Sequence, residues 1–243
     1  ILIVNDDGVR APGIGLLERL VRAECDDVWV IAPSEEKSGA SNSVSMHIPI
    51  RVTQIGEQHY AIGGTPTDAV IMALSQLMPE PPTLVLSGIN RGANLAEDVL
   101  YSGTIAATME ASLLKIPAIG LSQVFARGTT VPWETAERYT IPIIERLLDK
   151  GIAPGSFYNI NFPPVAPDTV SGVRVTRQGQ RNGPLFRAEG RVDCRDVPYF
   201  WAKLDPAGGG DLPGTDLEAI RDNAVSVCPL KIDLTDHETR ERL

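Results

Sequence analysis

Short apolar segments alternate with longer amphipathic ones through the first two thirds of the chain. The apolar segments are rich in Val, Ile and Leu, which is typical of strands that are covered on both faces of a sheet. In the segments between them, apolar residues recur at near-helical spacing, so the order predicts βαβ units with right-handed crossovers. The predicted strands lie at about residues 1–4, 27–33, 83–87, 117–122 and 157–162, and the predicted helices at about residues 12–23, 66–78, 105–114 and 133–148.

This pattern predicts an α/β fold, namely a Rossmann-like, doubly wound and mostly parallel sheet with a C-terminal β-hairpin extension. Residues 1–164 make up the predicted Rossmann-like core. Residues 185–204 contain paired β-like runs around Gly190 that predict a long hairpin outside the core. An isolated hairpin exposes edges that a second subunit can cover. We therefore expect residues 165–243 to complete the fold and to mediate oligomerisation, with a glycine-rich connection at residues 208–210.

Composition and charge argue against several classes of partner. The chain has 243 residues, of which 43% are hydrophobic, so it can bury a sizeable core. No run approaches the ~18 apolar residues of a transmembrane helix, and the chain starts on a strand instead of a basic and apolar signal sequence. The formal net charge of −9 disfavours non-specific binding to nucleic acid or to a membrane surface. We therefore expect neither nucleic-acid nor membrane partners.

The three cysteines, Cys25, Cys194 and Cys228, are odd in number and have no CxxC spacing. This pattern is typical of reduced thiols and not of a disulfide framework or a zinc site. It predicts a cytoplasmic protein.

Two adjacent carboxylates, Asp6 and Asp7, follow the first predicted strand. Neighbouring Asp side chains raise each other's pKa, so keeping both ionised costs free energy unless a cation or buried donors compensate. Their hard oxygens suit Mg²⁺, Mn²⁺ or Ca²⁺ better than an ion that prefers thiolates. The alternative is that the turn from Asn5 to Gly8 only caps the next helix. These residues by themselves leave both interpretations open.

The same turn does not have the pattern of a dinucleotide site. Its glycines are Gly8, Gly13 and Gly15, which do not form the GxGxxG motif. Two acids also stand where a pyrophosphate would have to bind. We therefore do not expect a dinucleotide cofactor.

Two polar loops supply further candidate ligands. In a doubly wound sheet, ligands bind beyond the carboxyl ends of the strands, so Asn90, after the predicted strand at residues 83–87, should converge with Asp6 and Asp7. An Asn carbonyl oxygen is a neutral ligand that can complete the shell of a hard cation. The Ser-rich loop at residues 34–45 is long enough to reach the same edge. The alternative for this loop is an ordinary solvated connection.

Ser102, Gly103 and Thr104 precede a helix of small residues. Hydroxyls and free backbone N–H groups at a helix N-terminus bind anions, because the helix dipole favours negative charge there. The alternative is ordinary capping of the helix. By itself the pattern favours the cap over the anion site.

Four motifs, in this order and with this spacing, resemble those of the SurE (survival protein E) family of metal-dependent nucleoside monophosphate phosphatases. They are Asn5–Gly8, Ala32–Pro33 with Ser38–Ser41, Gly64–Asp68, and Ser87–Asn94 followed by Tyr101–Thr104. The resemblance extends over nearly the whole chain and is weakest in the hairpin from Leu185. It implies a Rossmann-like core, a C-terminal hairpin and tail exchanged between subunits, and a homodimer or homotetramer.

The resemblance also implies the ligands of one divalent cation per subunit. In the family, the cation is coordinated by the acidic pair, the first Ser of the Ser-rich loop and the first Asn of the later loop. The matching positions are Asp6, Asp7, Ser38 and Asn90. Mn²⁺ or Mg²⁺ is expected, with Ca²⁺ as the third candidate. The segment Tyr101–Thr104 matches the family's phosphate-contacting turn. The predicted phosphate contacts are Asn94, Ser102, Gly103 and Thr104.

The expected activity is hydrolysis of nucleoside monophosphates to nucleoside and phosphate, as a 5'-nucleotidase, with 3'-nucleotides and polyphosphate as further candidate substrates. Asp6 and Asp7 are the catalytic candidates. One alternative is a covalent aspartyl-phosphate phosphatase, which typically uses an Asp-x-Asp pair, whereas these two are adjacent. The other is a phospho-accepting, receiver-like signalling domain. That domain needs an acceptor Asp at the end of a later strand, and residues 84–90 contain none.

Overall fold

The computed structural model describes residues 1–126, 128–204 and 213–242, and in these ranges nine strands form one sheet and two form a separate hairpin. The strands are β1 Leu2–Val4, β2 Trp29–Pro33, β3 Val52–Gly56, β4 His59–Ile62, β5 Val85–Arg91, β6 Ala118–Gln123, β7 Ser156–Phe162, β8 Val173–Val175, β9 Phe186–Val192, β10 Pro198–Leu204 and β11 Val225–Lys231. The sheet order is β3-β4-β2-β1-β5-β6-β7-β11-β8. The strands from β4 to β7 in this order are parallel, whereas β3 and β11 pair antiparallel with β4 and β7. The predicted Rossmann-like, mostly parallel sheet is therefore confirmed.

Helices cover both faces of the sheet. The described helices are α1 Pro12–Arg22, α2 Pro66–Met72, α3 Gly103–Leu113, α4 Trp133–Lys150, α5 Asp216–Arg221 and α6 His237–Arg242, and the first four pack on the two faces of the sheet. On one face, Ile14 of α1 and Ile144 of α4 join the same buried cluster as Ile3 of β1. On the other, Ile105 of α3 joins Leu2. Successive strand residues point to opposite faces, and burying each such side chain contributes about 1.5–3 kcal/mol. None of the described helices is both long and apolar enough to cross a membrane.

The start of α2 follows from its local sequence. The Thr65 hydroxyl accepts a hydrogen bond from the Asp68 backbone N–H at 3.1 Å, and the Asp68 carboxylate accepts one from the Thr65 N–H at 2.9 Å. This capping box satisfies two N–H groups that a helix start leaves unpaired, and a cap of this kind is worth about 1 kcal/mol. The helix continues beyond Met72 as one π-helical turn at Ala73–Leu77.

The chain reverses its winding direction between β1 and β5. From β1 it runs outward to β2 and β4, and it then returns to β5 and runs to β6 and β7 on the other side. β1 and β5 are parallel neighbours, with Val4 opposite Ser87. The loops that follow these two strands therefore leave the same edge of the sheet side by side, which is where ligands bind in folds of this type.

β5 is longer than the sequence pattern predicts. After a shift in register, Asn90 pairs with Ser122 of β6, and the strand continues through Arg91. Asn90 therefore lies inside a strand and not in the loop after it. The backbone pairing with β6 fixes its position at the edge of the sheet.

The residues after 164 contribute to two structures. β8 and β11 extend the main sheet beyond β7, and α5 packs against β11. β9 and β10 form the predicted hairpin, in which Gly190 lies opposite Phe200 and the turn spans residues 193–197. The predicted connection at residues 208–210 lies outside the described residues. The hairpin exposes large apolar side chains, namely Phe186, Val192, Val197, Tyr199, Phe200, Trp201 and Leu204.

Candidate active site

Asp6 and Asp7 lie at the carboxyl edge of the sheet, directly after β1. Their turn is closed by Asn5, whose Nδ2 donates a hydrogen bond to the Gly8 carbonyl oxygen at 2.9 Å. Gly8 has a φ of +100°, a conformation that side chains disfavour. A Cβ there would also lie 3.3 Å from the backbone of Glu35. The turn that presents both carboxylates therefore depends on glycine at this position.

Asp6 is almost fully buried against the N-terminus of α3. Only 4% of its surface is exposed, and its Oδ1 accepts a hydrogen bond from the Thr104 hydroxyl at 2.6 Å. A Cβ on Gly103 would lie 2.7 Å from the Asp6 Cβ, so glycine is required for this close approach. The pKa of Asp6 is raised to about 6, because burial and the charge of Asp7 raise it more than the Thr104 hydrogen bond lowers it. The ionised carboxylate therefore needs a positive partner here.

Asp7 connects the end of β1 to the end of β5. Its Oδ2 accepts a hydrogen bond from the Arg91 backbone N–H at 2.9 Å. Burial raises the pKa of Asp7 more than this hydrogen bond lowers it, and the Glu36 carboxylate adds repulsion. Three carboxylates thus concentrate negative charge at this edge, which favours binding of a cation.

The Ser-rich loop approaches the Asp pair through its backbone. The Lys37 N–H donates a hydrogen bond to the Asp6 carbonyl oxygen at 2.7 Å, and the next residue, Ser38, lines the clefts beside both carboxylates. The Ser38 hydroxyl donates to Glu36 Oε1 at 2.9 Å. Because the hydroxyl acts as a donor in this contact, its oxygen keeps lone pairs that can bind a cation.

Asn90, the last predicted ligand, is buried at the end of β5 and lines the same cleft as Asp6. Its Nδ2 donates a hydrogen bond to the Gly92 carbonyl oxygen at 3.1 Å, so the side-chain oxygen is the atom suited to a cation. Within the described residues, no group of three His, Cys, Asp or Glu side chains forms a metal cluster. A cation at the Asp pair would therefore take hydroxyl and amide oxygens as its further ligands.

The predicted phosphate contacts lie around the N-terminus of α3. Ser102 is the N-cap, because its Oγ accepts a hydrogen bond from the Ile105 N–H at 3.1 Å. Its hydroxyl hydrogen can still be donated to a ligand, so capping and anion binding are compatible. The hydroxyl hydrogen of Thr104 is instead donated to Asp6. Thr104 thus links the anion-binding end of the helix to the carboxylate.

Buried amides that the sequence analysis missed hold Asn94. Asn159 Nδ2 and Asn161 Nδ2 donate to the Asn94 carbonyl oxygen at 2.7 and 3.1 Å. Asn161 Oδ1 accepts a hydrogen bond from the Asn94 N–H at 2.9 Å, and Asn94 Nδ2 donates to the Ser122 hydroxyl at 2.8 Å. The signal that could have found this network is the pair of Asn residues inside the otherwise apolar strand β7.

A clamp from the C-terminal segment holds the turn before α3. Arg181 Nη1 and Nη2 donate to the two Asp98 carboxylate oxygens at 3.0 and 2.8 Å, and the Arg181 side chain is only 9% exposed. The Asp98 carbonyl oxygen accepts hydrogen bonds from the Tyr101 and Ser102 N–H groups, both at 3.0 Å. The Ser41 hydroxyl donates to the carbonyl oxygen that precedes Tyr101, at 2.7 Å. The sequence carries no local signal for this clamp, because Arg181 and Asp98 are 83 residues apart.

Two clefts open beside the Asp pair. The cleft next to Asp7 has a volume of about 610 Å³. The cleft next to Asp6 has a volume of about 870 Å³ and extends from the candidate ligands to the base of the hairpin. Its lining includes Asn90, Tyr101, Ser102, Arg181 and Phe186. Hard oxygen ligands next to a helix N-terminus are suited to a cation and a phosphate ester together.

The chain is similar to proteins of one family. The family model described as Survival protein SurE matches residues 1–184. The chain is 45% identical over 243 residues to a protein named 5'-nucleotidase SurE from Allorhizobium ampelinum, covering 99% of this chain and 94% of that protein. It is 48% identical over 239 residues to the 5'-nucleotidase SurE of Methylorubrum extorquens strain PA1, covering 97% and 94%. The crystal structure of the SurE protein from Aquifex aeolicus matches with a TM-score of 0.85 at 34% identity, covering 100% of this chain and 97% of that one.

Proposed function

The chain belongs to the SurE family and is a phosphoric monoester hydrolase of the 5'-nucleotidase type, and we propose that its active site is the edge where β1 and β5 end. The resemblance predicted from the motifs is thereby confirmed. The observation that carries the proposed site is the buried Asp6 with its neighbour Asp7, packed on the N-terminus of α3. This arrangement supports hydrolysis of nucleoside monophosphates, because it suits a cation and a phosphate side by side.

The residues at this edge fit a hard divalent cation. Burial raises the pKa values of both carboxyl groups, so a bound cation would stabilise their ionised forms. When bound, such a cation neutralises charge on the phosphoryl group and lowers the pKa of a coordinated water. Mn²⁺ or Mg²⁺ suits the ligands, and Ca²⁺ is the third candidate. The proposed ligands are Asp6, Asp7, Ser38 and Asn90.

The groups of α3 bind and orient the phosphate in this proposal. The Ser102 hydroxyl and the first-turn N–H groups donate to the phosphoryl oxygens. Gly103 has no side chain to separate the phosphate from the backbone. Thr104 contributes through its backbone and keeps Asp6 in place with its hydroxyl. Asn94 contributes the amide hydrogen that its bond to Ser122 does not use.

Either Asp6 or Asp7 accepts the proton of the attacking water in this proposal. Because the cation would neutralise the charge of the phosphoryl group, chelation should abolish phosphate release from nucleoside monophosphates, and Mn²⁺ or Mg²⁺ should restore it. Asp6→Asn and Asp7→Asn should each lower kcat by several orders of magnitude. Asp149→Asn, an exposed site on α4, is the matched control and should be fully active. Full activity in chelator, or in either Asp variant, would contradict the proposal.

A substrate panel tests which part of the nucleotide is recognised. Because the proposed groups all address the phosphate, purine and pyrimidine monophosphates should be hydrolysed at similar rates. Strict dependence on one base would contradict this expectation. Activity on 3'-nucleotides and on polyphosphate is to be measured in the same panel. A stoichiometric beryllofluoride adduct on Asp6 or Asp7 would favour the aspartyl-phosphate alternative instead of direct hydrolysis.

We further propose that residues 165–243 complete the fold and join subunits into a homodimer or homotetramer. The support is the exposed apolar surface of the hairpin β9–β10 beyond its base at Phe186 and Leu204, since a two-stranded ribbon is marginally stable in water by itself. A second copy would cover that surface and its free edges. The cytoplasmic location and the absence of nucleic-acid and membrane partners stay predictions.

A further inference from the structure

Two aromatic side chains stand at the apolar end of the cleft beside Asp6. The rings of Tyr101 and Phe186 pack edge to face, with their centroids 5.0 Å apart and their planes at 76°. Both side chains line the cleft, and 44% of Tyr101 and 39% of Phe186 is exposed. Large aromatic side chains gain free energy when they are covered, so this pair is suited to a planar ligand.

We propose that Tyr101 and Phe186 form the nucleobase subsite, on which purine and pyrimidine rings stack. The proposal rests on the proposed function, because it states where the base of the substrate binds. Tyr101 directly precedes Ser102, at the phosphate end of the same cleft. One short segment therefore presents a partner for the phosphate and, next to it, a partner for the base.

The backbone that carries the Tyr101 ring is held on both sides. Its N–H donates a hydrogen bond to the Asp98 carbonyl oxygen at 3.0 Å, and its carbonyl oxygen accepts one from the Ser41 N–H at 3.2 Å. The Arg181 guanidinium donates two hydrogen bonds to the Asp98 carboxylate. Because Arg181 lies only five residues before Phe186, these hydrogen bonds also hold the start of the hairpin. A ring pair that is positioned in advance loses little conformational freedom when a ligand binds.

Stacking also explains why this subsite would accept different bases. Every nucleobase has a π face, and stacking on an aromatic side chain strengthens binding by roughly tenfold to a hundredfold with little regard to sequence. The Phe186 ring has no hydrogen-bonding group with which to distinguish base edges. Leu185 and Leu204 add apolar lining at this end of the cleft. The subsite should therefore favour nucleotides over sugar phosphates without selecting one base.

The variants must separate stacking from a structural role of the ring contact. Tyr101→Ala removes one ring, and Phe186→Leu keeps an apolar side chain at the hairpin base but removes the π face. Tyr101→Phe keeps the ring. The matched control is Tyr60→Ala, which breaks another aromatic pair, the stacked Trp29 and Tyr60 rings with centroids 6.1 Å apart. That pair lies at the amino ends of β2 and β4, whereas the cleft lies at the carboxyl edge of the sheet.

The measurement compares AMP and CMP with ribose 5-phosphate, by calorimetry in EDTA and as KM with Mn²⁺ present. The wild-type protein and Tyr101→Phe should bind both nucleotides more tightly than the sugar phosphate. Tyr101→Ala and Phe186→Leu should weaken the binding of both nucleotides about tenfold or more, and should weaken the binding of ribose 5-phosphate much less. Tyr60→Ala should behave as wild type.

Two results would overturn the subsite. One is equal affinity of the wild-type protein for AMP and ribose 5-phosphate, and the other is an equal loss for both ligands in the variants. Failure of the proposed function looks different, because nucleotides would then bind with these preferences in EDTA while Mn²⁺ would give no phosphate release.

Discussion

Replacing Asp6 by Asn should inactivate the enzyme and at the same time stabilise its metal-free form. Asn has the shape of the protonated carboxyl group and its oxygen can still accept the Thr104 hydrogen bond. It carries no charge, so the free-energy cost of burying an ionised carboxylate disappears. Loss of activity combined with a gain in stability distinguishes a functional carboxylate from one that serves the fold.

The size of the stabilisation expected for Asp6→Asn follows from the pKa of Asp6. Folding raises it from 3.8 to about 6. Between these pH values the folded state binds more protons than the unfolded state, so this carboxyl group makes the protein less stable as the pH rises. The cost is absent well below pH 3.8 and complete above pH 6, where the shift corresponds to about 3 kcal/mol.

Urea unfolding in EDTA, followed by circular dichroism, measures the difference between variant and wild type. Asp6→Asn should be more stable by about 3 kcal/mol near pH 7.5, and by about half as much near pH 5. Adding Mn²⁺ should stabilise the wild type more than the variant, because binding to the folded state alone raises its stability. The exposed control Asp149→Asn should show neither effect. An Asp6→Asn protein that is no more stable than the wild type near pH 7.5 in EDTA would refute the reasoning.

Three other changes test the surroundings of the site. Gly103→Ala places a Cβ 2.7 Å from the Asp6 Cβ, so it should lower the free energy of unfolding in urea by about 1–3 kcal/mol and remove most of the activity. The control Gly15→Ala adds a Cβ with no atom within 4 Å, so its stability should be unchanged or higher. Arg181→Met leaves the nearly buried Asp98 carboxylate without its partner, so it should lower the free energy of unfolding by roughly 2–4 kcal/mol and also lower kcat. The control Arg174→Met breaks an exposed ion pair and should lower the free energy of unfolding by less than about 1 kcal/mol. If Gly103→Ala or Arg181→Met lost no more stability than its control, the role assigned to that residue would be contradicted. Replacing residues 186–204 by a short linker should shift the protein towards monomer in light scattering while the remaining core still binds Mn²⁺, and an unchanged oligomer would exclude the hairpin as the contact.

Local patterns in the sequence were sufficient for the main strands and helices of the core and for several candidate residues. The apolar runs became β1, β2, β5, β6 and β7, and the βαβ order implied the parallel sheet and its ligand-binding edge. Adjacent Asp6 and Asp7 after a buried strand indicated concentrated charge, and Ser102 before a run of small residues indicated a helix start. These signals are readable because strand periodicity, helix capping and charge repulsion between neighbours act over a few residues.

Only the tertiary structure determined which groups meet at the site. The Thr104 hydroxyl contacts Asp6 across 98 residues, the Arg91 N–H contacts Asp7 across 84, and Asn161 holds Asn94 across 67. Each contact depends on strand order and register, and the register shift that places Asn90 inside β5 arises from its pairing with β6. The raised pKa values of the Asp pair have the same origin, because burial is produced by segments that are distant in the chain. The sequence by itself specified the kinds of groups and the edge that carries them, whereas long-range packing decided their distances, their burial and therefore their electrostatics.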